Sequence, residues 1–72
     1  MEWDNLRYFL ELSRAGKLIV AARRLGVDHT TVARRVQALE KSLDTPLFMR
    51  SPTGYSLTEA GRNLLPQAEA ME

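Results

Sequence analysis

The chain has 72 residues, which is room for one small domain and too little for two. It contains no cysteine and a single histidine, so disulfide bonds and a zinc site are excluded, and we expect neither a metal nor a cofactor. The longest purely apolar run is the segment 18–22, far too short for a membrane span, and no glycine-rich phosphate loop or second histidine supports an enzyme.

The net charge of +1 is unevenly distributed along the chain. Residues 1–12 carry a net charge of −2, residues 13–50 carry +5, and residues 51–72 carry −2. A basic middle between acidic ends favours a surface that meets a polyanion. An ordinary solvated surface is the alternative on charge alone.

The first helix is predicted from about Asp4, a residue type that caps helices, to Ala15, with Gly16 as a left-handed stop. It is apolar on two sides, because Tyr8 and Leu12 fall on a different flank from its main stripe. In a domain of this size, a second apolar flank indicates contact with a partner.

A second helix is predicted over 18–25, ending at Gly26, and Asp28 is the expected cap of a third helix that runs to about Ser42. The outer face of the third helix is polar and basic and lacks any acid, whereas a solvated helix surface normally mixes both signs. Its members are Thr30, Arg34, Ala38 and Lys41, with Thr31 and Arg35 at one edge.

Two strand-like runs, 47–50 and 55–57, flank a four-residue turn with proline and glycine and predict a β-hairpin. Thr58 is the expected cap of a last helix, which Pro66 should kink or end early. An apolar stripe on that helix consists of Ala60, Leu64, Ala68 and Met71.

The order of these elements predicts a mainly α fold, a winged helix-turn-helix. The turn between the second and third helices is the part of this pattern most specific to the motif. The small Ala22 permits the two helices to cross closely, and Gly26 suits the turn before Val32. A plain three-helix bundle with a glycine cap is the alternative. We place the helix-turn-helix at about 18–37 and the wing at about 47–57.

The first two turns of the third helix carry His29, Thr30, Thr31, Ala33 and Arg34. Proteins read base edges in the DNA major groove with short hydrogen-bonding side chains and with arginines that donate two hydrogen bonds, placed near the N-terminus of a helix. The sequence leaves open whether Arg34 meets a guanine or a phosphate, and whether His29 meets DNA or makes a local turn contact.

Two flanking regions are candidates for contacts to the DNA backbone. Lys17 and Leu18 lie at the start of the second helix, and a helix N-terminus favours an anion. Arg23 and Arg24 lie at its end, where cations suit the helix dipole, and we interpret them as solvated charges. The tip of the hairpin is the other candidate, and its residues are Arg50, Ser51, Thr53 and Gly54. The alternative is an ordinary surface hairpin that contacts no DNA.

Several segments together resemble one known family over nearly the whole chain. They are Leu6-Arg7-Tyr8-Phe9-Leu10, Ala21-Ala22-Arg23-Arg24-Leu25-Gly26-Val27, Thr31-Val32-Ala33-Arg34-Arg35-Val36, Ala38-Leu39-Glu40, Leu47-Phe48-Met49-Arg50 and Leu57-Thr58-Glu59-Ala60-Gly61. In this order they are similar to the N-terminal DNA-binding domain of LysR-type transcriptional regulators.

The resemblance implies a bacterial, cytoplasmic regulator that binds double-stranded DNA as a homodimer. Residues 1–58 would be the winged helix-turn-helix and 59–72 the start of a linker and dimerisation helix. The resemblance also implies a much larger C-terminal domain that binds a small-molecule effector, which we expect to lie beyond this chain. The expected dimer interface comprises Tyr8, Leu12, Ala60, Leu64, Ala68 and Met71.

The alternative function is a winged-helix module for protein interaction and dimerisation that binds no DNA. The acid-free face of the third helix argues against it, and a salt titration would discriminate, because DNA binding depends strongly on salt.

The chain departs from the family pattern at four positions. Ile19 stands where the family usually has a capping Ser or Thr, and Lys17 where it often has Ser, so a phosphate contact there is in doubt. His29 replaces a usual glutamine, and Ala33 a common serine, which changes the hydrogen-bonding groups available to a base.

Overall fold

The computed structural model describes residues 3–72 and has the helix order of a winged helix-turn-helix, which confirms the predicted fold. In this part of the chain, no helix is long and apolar enough to cross a membrane. The elements are α1 (Trp3–Ala15), α2 (Leu18–Leu25), α3 (His29–Leu43), β1 (Phe48–Ser51), β2 (Gly54–Leu57) and α4 (Glu59–Ala70).

The predicted end of α2 and the predicted starts of α3 and α4 are confirmed, whereas α1 begins at Trp3, so Asp4 lies in its first turn and its prediction as the cap is wrong. Gly26 ends α2 in the left-handed conformation, with φ 71°, where a side chain would be strained. Asp28 caps α3 by accepting a hydrogen bond from the N–H of Thr31 at 2.8 Å. Thr58 caps α4 in the same way, since its hydroxyl oxygen accepts from the N–H of Gly61 at 3.1 Å.

The core consists of two clusters on opposite sides of α1. One cluster packs α1 against α4 and the start of the hairpin; its buried members are Leu6, Phe9, Leu10, Leu39, Leu47 and Ala68. The other packs α1 against α2 and α3; its buried members are Tyr8, Leu12, Ala21, Ala22, Val32 and Val36. The second apolar flank of α1 is therefore covered by the chain's own helix-turn-helix, and its prediction as a partner surface is wrong.

Phe48 connects the hairpin to both clusters. Its ring centroid lies 5.5 Å from that of Phe9 and 6.0 Å from that of Tyr55, the second pair in an edge-on arrangement. The two strands pair antiparallel, and Ser51 is the register partner of Gly54. The turn is therefore the two residues between them, shorter than the predicted four, because both flanking residues join the ladder.

The carboxylate of Glu40 fixes the base of the hairpin to α3. Its Oε2 accepts hydrogen bonds from the N–H groups of Leu47 at 2.7 Å and Phe48 at 3.3 Å. The N–H of Thr58 donates to the carbonyl of Leu47 at 3.0 Å, and its hydroxyl donates to that of Pro46 at 2.8 Å. The orientation of the wing relative to α3 is thus determined by polar contacts as well as by packing.

The last helix, α4, packs along the first cluster rather than standing free. Ala68 is fully buried there, and Ala60 and Leu64 are half-buried. The helix continues through Pro66 to Ala70, so of the two predicted effects of this proline, a kink or an early end, the early end is wrong. Proline removes one hydrogen bond to the carbonyl of Arg62, and since both residues are exposed, water can replace it.

Candidate nucleic-acid interface

The outer face of α3 is open to solvent, as the sequence predicts. Thr30, Arg34, Ala38 and Lys41 are all exposed. Within residues 3–72, neither Arg34 nor Lys41 forms an ion pair. This face therefore presents a hydroxyl and two uncompensated cations on one side of a single helix.

Arg35, the next residue on α3, is in a different situation. Its guanidinium lies 3.7 Å from the carboxylate of Asp4 and 5.3 Å from the ring centroid of Tyr8, both on α1. These contacts hold the half-buried side chain against α1. Two adjacent arginines thus have different roles, one free at the outer face and one bound to the scaffold.

A hydrogen-bonded turn at the start of α3 involves Asp28, Thr30 and Thr31. The hydroxyl of Thr30 donates to Oδ1 of Asp28 at 2.9 Å, and the N–H of Thr31 donates to the same oxygen. Hydrogen bonds from the side chain and backbone of Thr31, and from the Thr30 hydroxyl, lower the pKa of Asp28 to about 2. The cap is predictable from the sequence, but the hydrogen bond from Thr30 was not predicted; its signal is an aspartate two residues before a threonine.

A cleft of about 420 Å³ lies between the start of α2, the start of α3 and the wing. It brings together residues that are far apart in sequence and that were predicted separately to meet DNA. These are Lys17, Leu18, His29, Arg50, Ser51, Thr53 and Gly54. The other predicted residues, Thr30, Thr31, Ala33 and Arg34, lie outside the cleft on α3.

The wing is held at this cleft by direct backbone contact with the turn between α1 and α2. The N–H of Tyr55 donates to the carbonyl of Gly16 at 2.7 Å. Gly54 has φ 136°, and a Cβ atom there would collide with the carbonyl oxygen of Gly16. Arg50 lies nearby, with its guanidinium 5.7 Å from the ring centroid of Tyr55. Glycine at the wing is therefore needed for the close approach that forms the cleft.

The start of α2 has no side-chain cap. Lys17 occupies the cap position in an extended conformation, and its side chain makes no capping hydrogen bond. Ile19, interpreted from the sequence as the position of a lost cap, is instead two residues inside the helix; it is 61% exposed and lines the cleft. Leu18 packs its half-buried side chain on the second cluster.

A smaller hollow of about 110 Å³ separates α3 from the hairpin. Ala33 is half-buried beside it, and Gln37, Glu40 and Arg50 also contribute to its lining. Arg50 lines both this hollow and the cleft, so the two hollows meet at the wing.

Most of the predicted dimer surface is not available on the protomer. Leu12 and Ala68 have no exposed area and Tyr8 is buried, so these three predictions are wrong: each side chain is covered by its own chain. Ala60 and Leu64 are half-buried. Met71, at the end of α4, is 56% exposed and is the one fully exposed member of the set.

Comparison with known proteins identifies the family of this fold. The lysR family of bacterial regulatory helix-turn-helix proteins matches residues 3–62. The chain belongs to the LysR family. Its relatives include the transcriptional regulator ClcR of Pseudomonas putida, 39% identical over 71 residues, and TfdS of Cupriavidus pinatubonensis, 42% identical over 71 residues. Both alignments cover 99% of this chain and 24% of the relative, so the LysR chain described here spans about a quarter of their length.

Solved structures of LysR proteins superpose closely on the chain. The DNA-binding domain of CbnR, in a complex with DNA, matches with a TM-score of 0.94 and 39% identity, covering 99% of this chain and 82% of that one. The DNA-binding domain of BenM with benA site 1 DNA matches with a TM-score of 0.93 and 27% identity, covering 99% and 80%. The named LysR relatives are transcriptional regulators, and neither name is that of an enzyme.

Proposed function

We propose that this LysR-family chain binds double-stranded DNA in a sequence-specific manner, with α3 in the major groove and Arg50 of the wing at the adjacent minor groove or backbone. The observation that carries the proposal is the open outer face of α3, where Arg34 is exposed and forms no ion pair with any residue from 3 to 72, next to a cleft that contains Lys17, His29 and Arg50. The DNA complexes of CbnR and BenM, which share the fold, support it.

In this proposal the outer face of α3 reads bases. Arg34 donates to guanine O6 and N7 in a two-pronged arrangement or clamps a phosphate, and Thr31 and Ala33 approach base edges or the thymine methyl. His29 and Thr30 occupy the first turn, where the groove is entered.

The cleft contacts the DNA backbone. Lys17 supplies a cation beside the N-terminus of α2, and the N–H of Leu18 is the donor at that position, since its side chain belongs to the core. At the wing, Arg50 supplies charge, Ser51 and Thr53 supply hydroxyls, and Gly54 permits close approach. Such contacts place the domain on the duplex without reading its sequence.

We also propose that the protein acts as a homodimer, with residues 1–58 as the winged helix-turn-helix and 59–72 as the beginning of the linker helix. Met71 supports this, because it places exposed apolar surface at the far end of α4. Ala60 and Leu64 contribute at most the exposed part of their side chains.

A cytoplasmic location and control by a small-molecule effector belong to the same proposal. The curated relatives are about four times as long as this chain, which leaves ample length for an effector-binding domain elsewhere in such a protein.

Selection of binding sites from random duplexes tests the function, followed by titration of salt against affinity for the selected site. We expect enrichment of a defined motif and a log–log salt slope of about −5, corresponding to roughly six phosphate contacts. No enrichment together with a salt-independent affinity would contradict the proposal and favour the protein-interaction module.

A further inference from the structure

We propose that Thr30 reads one base pair as a hydrogen-bond acceptor only, and that Asp28 is the positioning residue that sets this direction. The inference rests on the proposed function, since it assumes that α3 enters the major groove. It assigns a base preference to the Thr30 hydroxyl group. The residue type alone does not determine that preference, because a hydroxyl can donate or accept.

The direction follows from where the hydroxyl hydrogen goes. Threonine has one hydroxyl hydrogen and two oxygen lone pairs. In this structure Thr30 donates that hydrogen to Oδ1 of Asp28 at 2.9 Å. The Thr30 side chain is exposed one helical turn before Arg34, so its oxygen remains open to a partner on the outer face. Any such partner must be a donor.

Asp28 cannot reverse this arrangement. The hydrogen bonds from Thr31 and Thr30 hold its pKa at about 2, so the carboxylate is ionised at any pH at which DNA is a duplex and has no hydrogen of its own to give. The same Oδ1 accepts the capping bond from Thr31 at 2.8 Å, which fixes its position relative to the helix. The folded chain therefore presents Thr30 in one polarity before DNA arrives.

An acceptor distinguishes the bases by their amino groups. In the major groove, adenine N6 and cytosine N4 are donors, whereas guanine O6 and thymine O4 are acceptors. Every base pair has one such amino group, so an acceptor reads which strand carries it. We expect adenine or cytosine to be preferred over guanine or thymine at one position, by about two- to tenfold, the contribution of a single net hydrogen bond.

Three substitutions distinguish the direction of the Thr30 hydrogen bond from the effect of the Asp28 charge and from the effect of the helix cap on the fold. Thr30→Val removes the acceptor and identifies the base position that Thr30 reads. Asp28→Ser retains a good helix cap, but its shorter side chain releases the Thr30 hydrogen. Asp28→Asn is the matched control, since it removes the same negative charge and keeps an accepting oxygen in the same place.

The experiment is selection from random duplexes with each variant, with thermal unfolding to verify the fold. At the position identified with Thr30→Val, we expect the wild type and Asp28→Asn to select adenine or cytosine, and Asp28→Ser to admit guanine or thymine as well. Guanine or thymine selected by the wild type there, equal selection by the two Asp28 variants, or no position altered by Thr30→Val would overturn the inference. A wild-type chain that selects no motif at all would instead contradict the proposed function.

Discussion

At the scale of single residues, Arg34 and Arg35 illustrate how identical side chains acquire different roles. Both belong to α3, but Arg35 is bound by Asp4 and Tyr8 of α1, whereas Arg34 is exposed and forms no ion pair within residues 3–72. Composition and spacing place both near the same face. Only the packing of α1 beside α3 determines which of them remains free for a ligand.

Arg34→Ala is expected to weaken binding to the selected DNA site by about 1–3 kcal/mol and to relax the preference at one base pair, if the guanidinium forks onto a base. Arg23→Ala is the matched control, because it removes an exposed arginine from the last turn of α2 that does not line the cleft. Equilibrium titration of both variants makes the measurement. Equal effects of the two substitutions would remove Arg34 from the site.

Asp28 also predicts a specific response to acid. Its pKa in the folded chain is about 2, below its usual value of 3.8, so ionised Asp28 stabilises the fold. That contribution is complete above about pH 4 and is lost as the pH falls toward 2. Asp28→Asn keeps a cap that does not titrate, and its melting temperature should fall less steeply over this range.

Glu72 contributes to the acid response of both the wild type and Asp28→Asn, so it does not affect the comparison between them. Arg14 donates two hydrogen bonds to the Glu72 carboxylate, at 2.7 and 2.9 Å, and these lower the pKa of this carboxyl group too, so wild type and variant share that part of the acid response. Superimposable curves of melting temperature against pH would show that the cap contributes nothing.

At the scale of elements, the glycine stop of α2 and the caps of α3 and α4 were predictable, whereas the burial of the helix faces was not. Gly26, Asp28 and Thr58 act through local backbone geometry, which a few neighbouring residues determine. The apolar flank of α1 and the stripe of α4 are equally regular patterns. A pattern shows that a face is apolar, but not whether the same chain or a partner covers it.

The wing shows the same limit. Its two strands follow from residue type, but the length of the turn depends on whether Ser51 and Gly54 join the ladder. The cleft beside it could not be predicted as a single site, because it depends on the contact between Gly54 and Gly16 across about forty residues of chain.

Gly61 is the point at which α4 meets the base of the hairpin. A Cβ atom there would collide with the carbonyl oxygen of Leu47 and lie 2.9 Å from Cδ2 of Leu57. Although alanine favours a helix, Gly61→Ala is expected to lower the free energy of unfolding by about 1–3 kcal/mol through overpacking. Urea denaturation measures this.

Asn63→Ala is the control for Gly61→Ala, because it lies on the exposed side of the same helix. It should change the free energy of unfolding by no more than about 0.5 kcal/mol. Equal stability of the two variants would mean that the hairpin moves away at no cost.

At the scale of the whole molecule, the fold divides its surface between two tasks. The start of α2, the outer face of α3 and the wing form the proposed DNA surface, while α4 packs on the far side of α1. Met71 extends beyond that packing. Truncating α4 before Leu64 would remove core residues together with any dimer contact. A point substitution is therefore the better test of the proposed dimer interface.

Met71→Asp is expected to shift the protein from dimer to monomer in sedimentation equilibrium, because it places a charge in the proposed apolar contact. Gln67→Asp adds the same charge at an exposed position of the same helix and should leave the dimer intact. A monomeric wild type, or equal dissociation of both variants, would exclude this end of α4 as the interface.

The most direct test of the central claim is to map the backbone amide NMR shifts of the chain as the selected duplex is added. We expect the largest changes in residues 17–19, 29–34 and 50–54, with little change along the part of α4 that faces the core. Changes confined to α1 and α4, with residues 29–34 unaffected, would show that the duplex binds elsewhere and that α3 is not the recognition helix.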